Sequence, residues 1–405
     1  MNIELYKSCA LFWLICFFIK LSWTQYINIS KIIEKESKPR MYEDVIVELE
    51  SDEDEGMENY VEFYTSEMIP IKYWTNDEKE ELQEQVLENI EVSAVDNSTS
   101  FKFYNQLSSL EQNYYDYILD KSRELPPSFS VKVSINRDTN DINEFTSEID
   151  ISSEKVFTAL VYDNPELWWL GTYQLKLGYT ATKYIITFIT IPENTSFSDY
   201  TPDDIVKLNN EIEIIKDSIM SEISRLNLKT KYAIVRYIHD YLIVKNVYTL
   251  DENLRHIRTI YGALVENKCV CEGYSEAFQY IAQQYGINCI IGRSLNHEWN
   301  FVEIDGKWYV LDATYDDPSS NGKSPPSNTY ANLKTVYFLI GTDHICNFNR
   351  KYSDDKDHIL VYSGFSKNVL VSYPSIEKDD YIPSNIELEE IKLINLSEIA
   401  EFTSI

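Results

Sequence analysis

Between residues 268 and 317 the chain spells out a helix, a strand, a two-residue turn and a returning strand, in that order. Tyr274, Phe278, Ile281 and Ala282 recur at helical spacing, and Tyr285-Gly286 ends the run where glycine suits a left-handed cap. Residues 297–304 read as a strand, Asp305-Gly306 as a hairpin turn, and 307–313 as the strand that comes back antiparallel. His297 and Asp312 flank that turn at nearly equal offsets, so the hairpin predicts them as close neighbours across paired strands. A helix followed by an antiparallel hairpin points to an α+β architecture.

Three reactive side chains sit on this frame. Cys271 opens the helix, His297 follows 26 residues later, and Asp312 comes 15 residues after that. A thiol, an imidazole and a carboxylate supply a nucleophile, a base and a group that orients the base, which together serve acyl transfer through a thioester. A thiol at a helix N-terminus faces unpaired N–H groups and the positive end of the macrodipole. The expectation is therefore a lowered thiol pKa and thiolate near neutral pH.

The rest of the composition narrows the classes. The chain has 405 residues, of which 44% are hydrophobic and 14% aromatic, enough for more than one core. Its formal net charge of -30 would repel phosphate backbones, so no nucleic-acid partner is expected. Residues 10–19 form an apolar core too short to span a bilayer, with Lys7 before it and Ser22 and Thr24 after it. This reads as a secretory signal over 1–24, with an uncleaved signal-anchor as the alternative and the only route to a membrane. Sequons at Asn28, Asn97, Asn194 and Asn395 agree with a secreted or cell-surface glycoprotein. Cys9 and Cys16 fall in the signal, and Cys269, Cys271, Cys289 and Cys346 form neither a disulfide framework nor a zinc-ligand spacing. No metal and no cofactor is expected.

Along the chain, 25–100 reads as a largely disordered acidic tail. Residues 43–59 hold nine carboxylates and no basic residue, a block that repels itself, although 77–91 carries Leu at helical intervals. Residues 101–198 read as a small α+β domain, with helices over 101–119 and 153–163 and strands over 173–177 and 183–191. Thr201-Pro202 looks like the capped start of a long helix, and a second helix follows over 230–245. These lead into a catalytic domain over 199–385, with a tail over 386–405.

The segments Val270-Cys271-Glu272-Gly273-Tyr274, His297-Glu298-Trp299-Asn300 and the run 308–318 resemble the transglutaminase-like superfamily in its microbial branch. The resemblance covers roughly 205–345, and 162–169 is similar to the domain that precedes the core in those proteins. It implies a papain-like α+β core with Cys271 as nucleophile, His297 as base and then acid, and Asp312 as orienter. Cys269 departs from the pattern, since a small residue, commonly Gly, stands near that place in the family. The superfamily holds transferases, thiol proteases and amidases, so the implied substrate is a protein or peptide amide, with a Lys amine as a further acceptor. The alternative is a secreted scaffold or binding protein that keeps the fold without activity. Asp316 and Asp317 read as turn formers, Trp299, Trp308 and Tyr274 as packing residues, and His239 as a packed mid-helix residue. His256, His344 and His358 have no supporting motif.

Overall fold

A computed structural model describes residues 45–46, 63–64, 69–88, 101–124, 128–137, 141–192, 197–317, 333–346 and 349–401. All of them belong to the unit Val45–Ile405. The expected signal 1–24 lies outside the described residues, as does the acidic run 43–59 except for Val45–Ile46. No described helix is long and apolar enough to cross a membrane.

The chain order starts with β1 (Val45–Ile46), β2 (Phe63–Tyr64), α1 (Asn76–Glu88), α2 (Ser109–Glu124), β3 (Ser130–Asn136) and α3 (Ile142–Asp163). It continues through β4 (Leu170–Tyr179), β5 (Lys183–Pro192), α4 (Pro202–Arg225), α5 (Lys231–Lys245), β6 (Val247–Tyr248), β7 (Lys268–Cys269) and α6 (Cys271–Gln284). Then come β8 (Cys289–Arg293), β9 (Glu298–Ile304), β10 (Lys307–Leu311), α7 (Ala313–Asp316), β11 (Phe338–Ile340), α8 (Asn385–Ile391) and α9 (Leu396–Glu401). Helices packed on two antiparallel sheets make the fold α+β.

The first sheet runs β1-β3-β5-β4-β2, antiparallel throughout. Residues of both β4 and β5 face α3, where Phe157 stacks on Tyr173 of β4 at 3.9 Å and Phe145 on Tyr184 of β5 at 3.7 Å. Burying such a ring contributes about 1.5–3 kcal/mol, so these stacks anchor α3 to the sheet. The strand β3 went unread in the sequence, although Val131, Val133 and Ile135 alternate inward. Helix α3 also begins eleven residues earlier than expected, where the Asp141 side chain caps Asn143 and Glu144 N–H groups.

The second sheet runs β11-β10-β9-β8. Its central hairpin folds about the Asp305-Gly306 turn read from the sequence, with Lys307 paired to Ile304 and Leu311 to Asn300. Asp305 and Gly306 both take positive φ, 54° and 78°, as a tight primed turn requires. Every residue of β9 is buried. One face lies under α6, while Phe301 meets Tyr373 and Trp308 meets Phe101. Gln279 of α6 reaches back to the Tyr162 carbonyl at 2.8 Å and the Cys289 carbonyl at 3.3 Å, so one amide ties α6 to both α3 and β8.

Two stretches read as tail are ordered. Ile71 and Leu82 bury themselves against Leu295 and Val361, and Ile71 N–H donates to the Gly364 carbonyl at 2.8 Å. At the other end, Glu390 of α8 accepts from the Lys229 and Thr230 N–H groups and the Thr230 hydroxyl, and so caps the start of α5. Neither contact has a sequence signal, because both join residues far apart in the chain.

Candidate active site

Cys271 is the first residue of α6, and its N-cap, Val270, makes no side-chain cap bond. No N-cap side chain therefore covers the backbone N–H groups of the first turn. Gly273 is required here: a Cβ at that position would stand 2.5 Å from the Cys269 Cβ. The helix start is fastened to β9 by Asn300 Nδ2, which donates to the Ser275 carbonyl at 2.9 Å, and by the Ser275 hydroxyl, which donates to Glu298 Oε2 at 3.2 Å. These bonds bring Cys271 to the backbone of Glu298, the residue after His297.

The thiol is 6% exposed and donates to Glu272 Oε2 at 3.1 Å. Among the described residues it makes no hydrogen bond to the His297 ring. Burial pushes the Cys271 thiol well above its ordinary range, and the Glu272 and Glu298 carboxylates push it further, while hydrogen bonding from the Glu298 backbone works the other way. This runs against the expectation of a thiolate at rest: burial first, then the adjacent Glu272 and Glu298 side chains, raises the thiol pKa. Each carboxylate has its own cation, Arg258 on Glu272 at 2.5 Å and Arg293 on Glu298. For Glu272, burial raises the pKa, but Arg258 and Lys72 prevail and keep it ionised.

His297 ends a tight turn in which its N–H donates to Ser294 Oγ at 3.1 Å and its carbonyl accepts from Ser294 N–H at 2.8 Å. Its ring lies between Tyr315 at 4.6 Å and Trp299 at 5.8 Å, both stacked. Nε2 meets Asp312 Oδ2 at 2.6 Å. With Nε2 engaged, Nδ1 is the nitrogen left for proton transfer. Asp312 is fully buried, caps α7 by accepting from Tyr315 N–H at 3.0 Å, and is itself held by its N–H to the Tyr337 carbonyl at 3.0 Å. Burial would raise its pKa, but His297 and His358 hold the carboxyl well below the usual range.

The structure therefore joins His297 to Asp312 and sets the Cys271 sulfur against the backbone of Glu298, the residue after His297, with the thiol donating to Glu272. It also adds His358, whose Nε2 meets the same Asp312 Oδ2 at 3.0 Å and whose Nδ1 lies 3.2 Å from Asp355 Oδ2. Burial opposes charge on His358, but the bond to Asp312 and the nearby Asp355 carboxylate prevail and raise its pKa to about 9. No local pattern marks His358, which stands 46 residues from Asp312. Asp316 is no simple turn former: it accepts from His239 Nε2 at 3.2 Å and from Val336 N–H at 2.8 Å. Tyr274, read as packing, donates its hydroxyl to Asp317. All four described cysteines are free and buried.

His297, Asp312 and His358 each bring one ligand atom within 4.8 Å of the others, a donor set that a divalent transition metal accepts. Both imidazoles would have to present a bare Nε2 to it, at the cost of the bonds they make to Asp312.

No family model matches the chain, and no curated protein is similar to it. Among solved structures, a crystal structure of a TGase is similar over 49% of this chain and 54% of that one, at 15% sequence identity and a TM-score of 0.25. The chain thus spans about half the length of that protein. At such values the likeness carries no argument about what the chain does.

Proposed function

We propose that the protein is a thiol-dependent acyl-transfer enzyme of the transglutaminase-like kind, acting on protein or peptide amides through a thioester on Cys271. The observation that carries this reading is the His297–Asp312 bond of 2.6 Å beside a cysteine at an uncapped helix start. Because the resting thiol is protonated, His297 acts as a general base. Nδ1 takes the thiol proton as sulfur attacks the amide carbon, and first-turn N–H groups receive the oxyanion. The imidazolium, held by Asp312, then gives its proton to the leaving amine as the C–N bond breaks. A Lys amine or water attacks the thioester, and the thiol recovers its proton through His297. In this reading the substrate meets the protein outside the cell or at its surface.

A second reading, a non-catalytic binding protein that keeps the fold, is favoured by one observation: the thiol bonds to Glu272 rather than to His297. Incubation with a Gln-containing protein and a primary amine separates the readings. Amine incorporation lost in Cys271→Ala marks a transferase, and new chain termini lost in the same variant mark a protease. If neither appears, and no activated ester acylates Cys271, the binding reading stands.

A further inference from the structure

We propose that His358 is a positioning residue of this site, one that holds the Asp312 carboxylate against His297 and shares its negative charge. Both imidazoles bond the same oxygen, Oδ2, at 2.6 Å and 3.0 Å, while Oδ1 is taken by Tyr315 N–H. His358 is 6% exposed, and its ring is fixed by Trp299 at 4.7 Å, Tyr352 at 4.9 Å, Tyr315 at 5.2 Å and Tyr337 at 5.6 Å. Its other nitrogen faces Asp355, which caps the turn that carries it by accepting from Asp357 N–H at 3.2 Å. The ionisable groups around His358 are therefore Asp312, Asp355, His297 and the Tyr315, Tyr337 and Tyr352 hydroxyls.

The arrangement meets a need set by the thiol. A base that must take a proton from a neutral thiol has to be neutral itself. A fully buried aspartate alone with His297 would favour the imidazolium form. With His358 on the same oxygen, the Asp312 charge is shared between two imidazoles and less of it falls on His297. The inference rests on the proposed thiol chemistry for its kinetic readout only.

The test compares the wild type with His358→Gln, which keeps an N–H donor but no charge, and His358→Phe, which keeps the ring volume but neither donor nor charge. Acylation of Cys271 by 4-nitrophenyl acetate is followed against pH, with thermal midpoints as the folding control. In His358→Gln the general-base limb should move up by about one pH unit, because His297 then faces the whole Asp312 charge. His358→Phe should lose at least about tenfold in rate across the profile, and Gln should recover most of it. Asp355→Asn should move the limb the same way by less, and it decides the matter with Gln if Phe does not fold. Superimposable limbs in wild type and His358→Gln would overturn the proposal. If the wild type acylates no cysteine, the proposed function fails, and this inference is then read from ¹⁵N spectra of the His297 ring. A higher titration midpoint in His358→Gln supports it, and an unchanged midpoint overturns it.

Discussion

Among the described residues, His239 and His297 each sit in a buried cluster with aspartates, and the two clusters use their ring nitrogens differently. His239, in the middle of α5, bonds Asp240 Oδ1 through Nδ1 at 2.9 Å and Asp316 Oδ2 through Nε2 at 3.2 Å. Arg236 closes that cluster with two bonds to Asp240, at 2.8 Å and 2.9 Å. Both ring nitrogens are occupied and the ring is fully buried, so His239 is a cross-tie between α5 and α7. His297 spends only one nitrogen on its carboxylate and sits next to the residue that meets a cysteine. A histidine–aspartate bond is thus no mark of catalysis by itself. In the proposed reading, the ring nitrogen that His297 does not spend on Asp312 is what separates a proton carrier from a strut.

The largest expected effect is on activity at the second cluster. His297→Ala should slow acylation of Cys271 by about 10²–10⁴-fold, the usual worth of a general base, with a much smaller change in the unfolding midpoint. His239→Phe should do the reverse. It leaves Asp316 and Asp240 buried without their shared partner, at a cost of ~3–5 kcal/mol in urea unfolding. Comparable losses of activity in both folded variants would erase the distinction.

Proton linkage sharpens the comparison further. The folded pKa of His239 is raised: burial lowers it, but the two aspartates prevail. That of His358 is raised to about 9, again with burial opposing and Asp312 and Asp355 prevailing. A raised imidazole pKa contributes stability that is fully present below the unfolded value of ~6.5 and is lost as pH rises through the folded value. Unfolding free energy should therefore fall as the pH is raised from neutral through about 9, and His358→Gln should flatten part of that fall. An unchanged slope in that variant would contradict the charge assigned to His358.

The smallest effect belongs to the hairpin that sets the His297–Asp312 register. Gly306→Ala meets no atom within 4 Å, yet φ of 78° strains an alanine. A loss of about 1 kcal/mol in stability is expected, with acylation kinetics retained.

The sequence showed what local chemistry dictates. The Asp305-Gly306 turn, the Thr201 cap with Pro202 behind it and the apolar face of α6 each carry their signal within a few residues, and each is present. From the hairpin alone, His297 and Asp312 could be placed together. What escaped was long-range or directional. His358 reaches Asp312 across 46 residues, and Leu82 reaches Val361 across far more. Glu272 stands next to Cys271 in the chain, but only the fold buries the thiol and turns that carboxylate onto the sulfur, and burial first, with Glu272 after it, reverses the expected direction of the thiol pKa.

The central claim is that Cys271 carries an acyl group with His297 as its base. Mass spectrometry of protein quenched after mixing with 4-nitrophenyl acetate tests it directly. One acetyl group on Cys271, absent in Cys271→Ala and formed at least about a hundredfold more slowly in His297→Ala, is the result the account predicts. No acetyl group on Cys271, or acylation indifferent to His297→Ala, would contradict it.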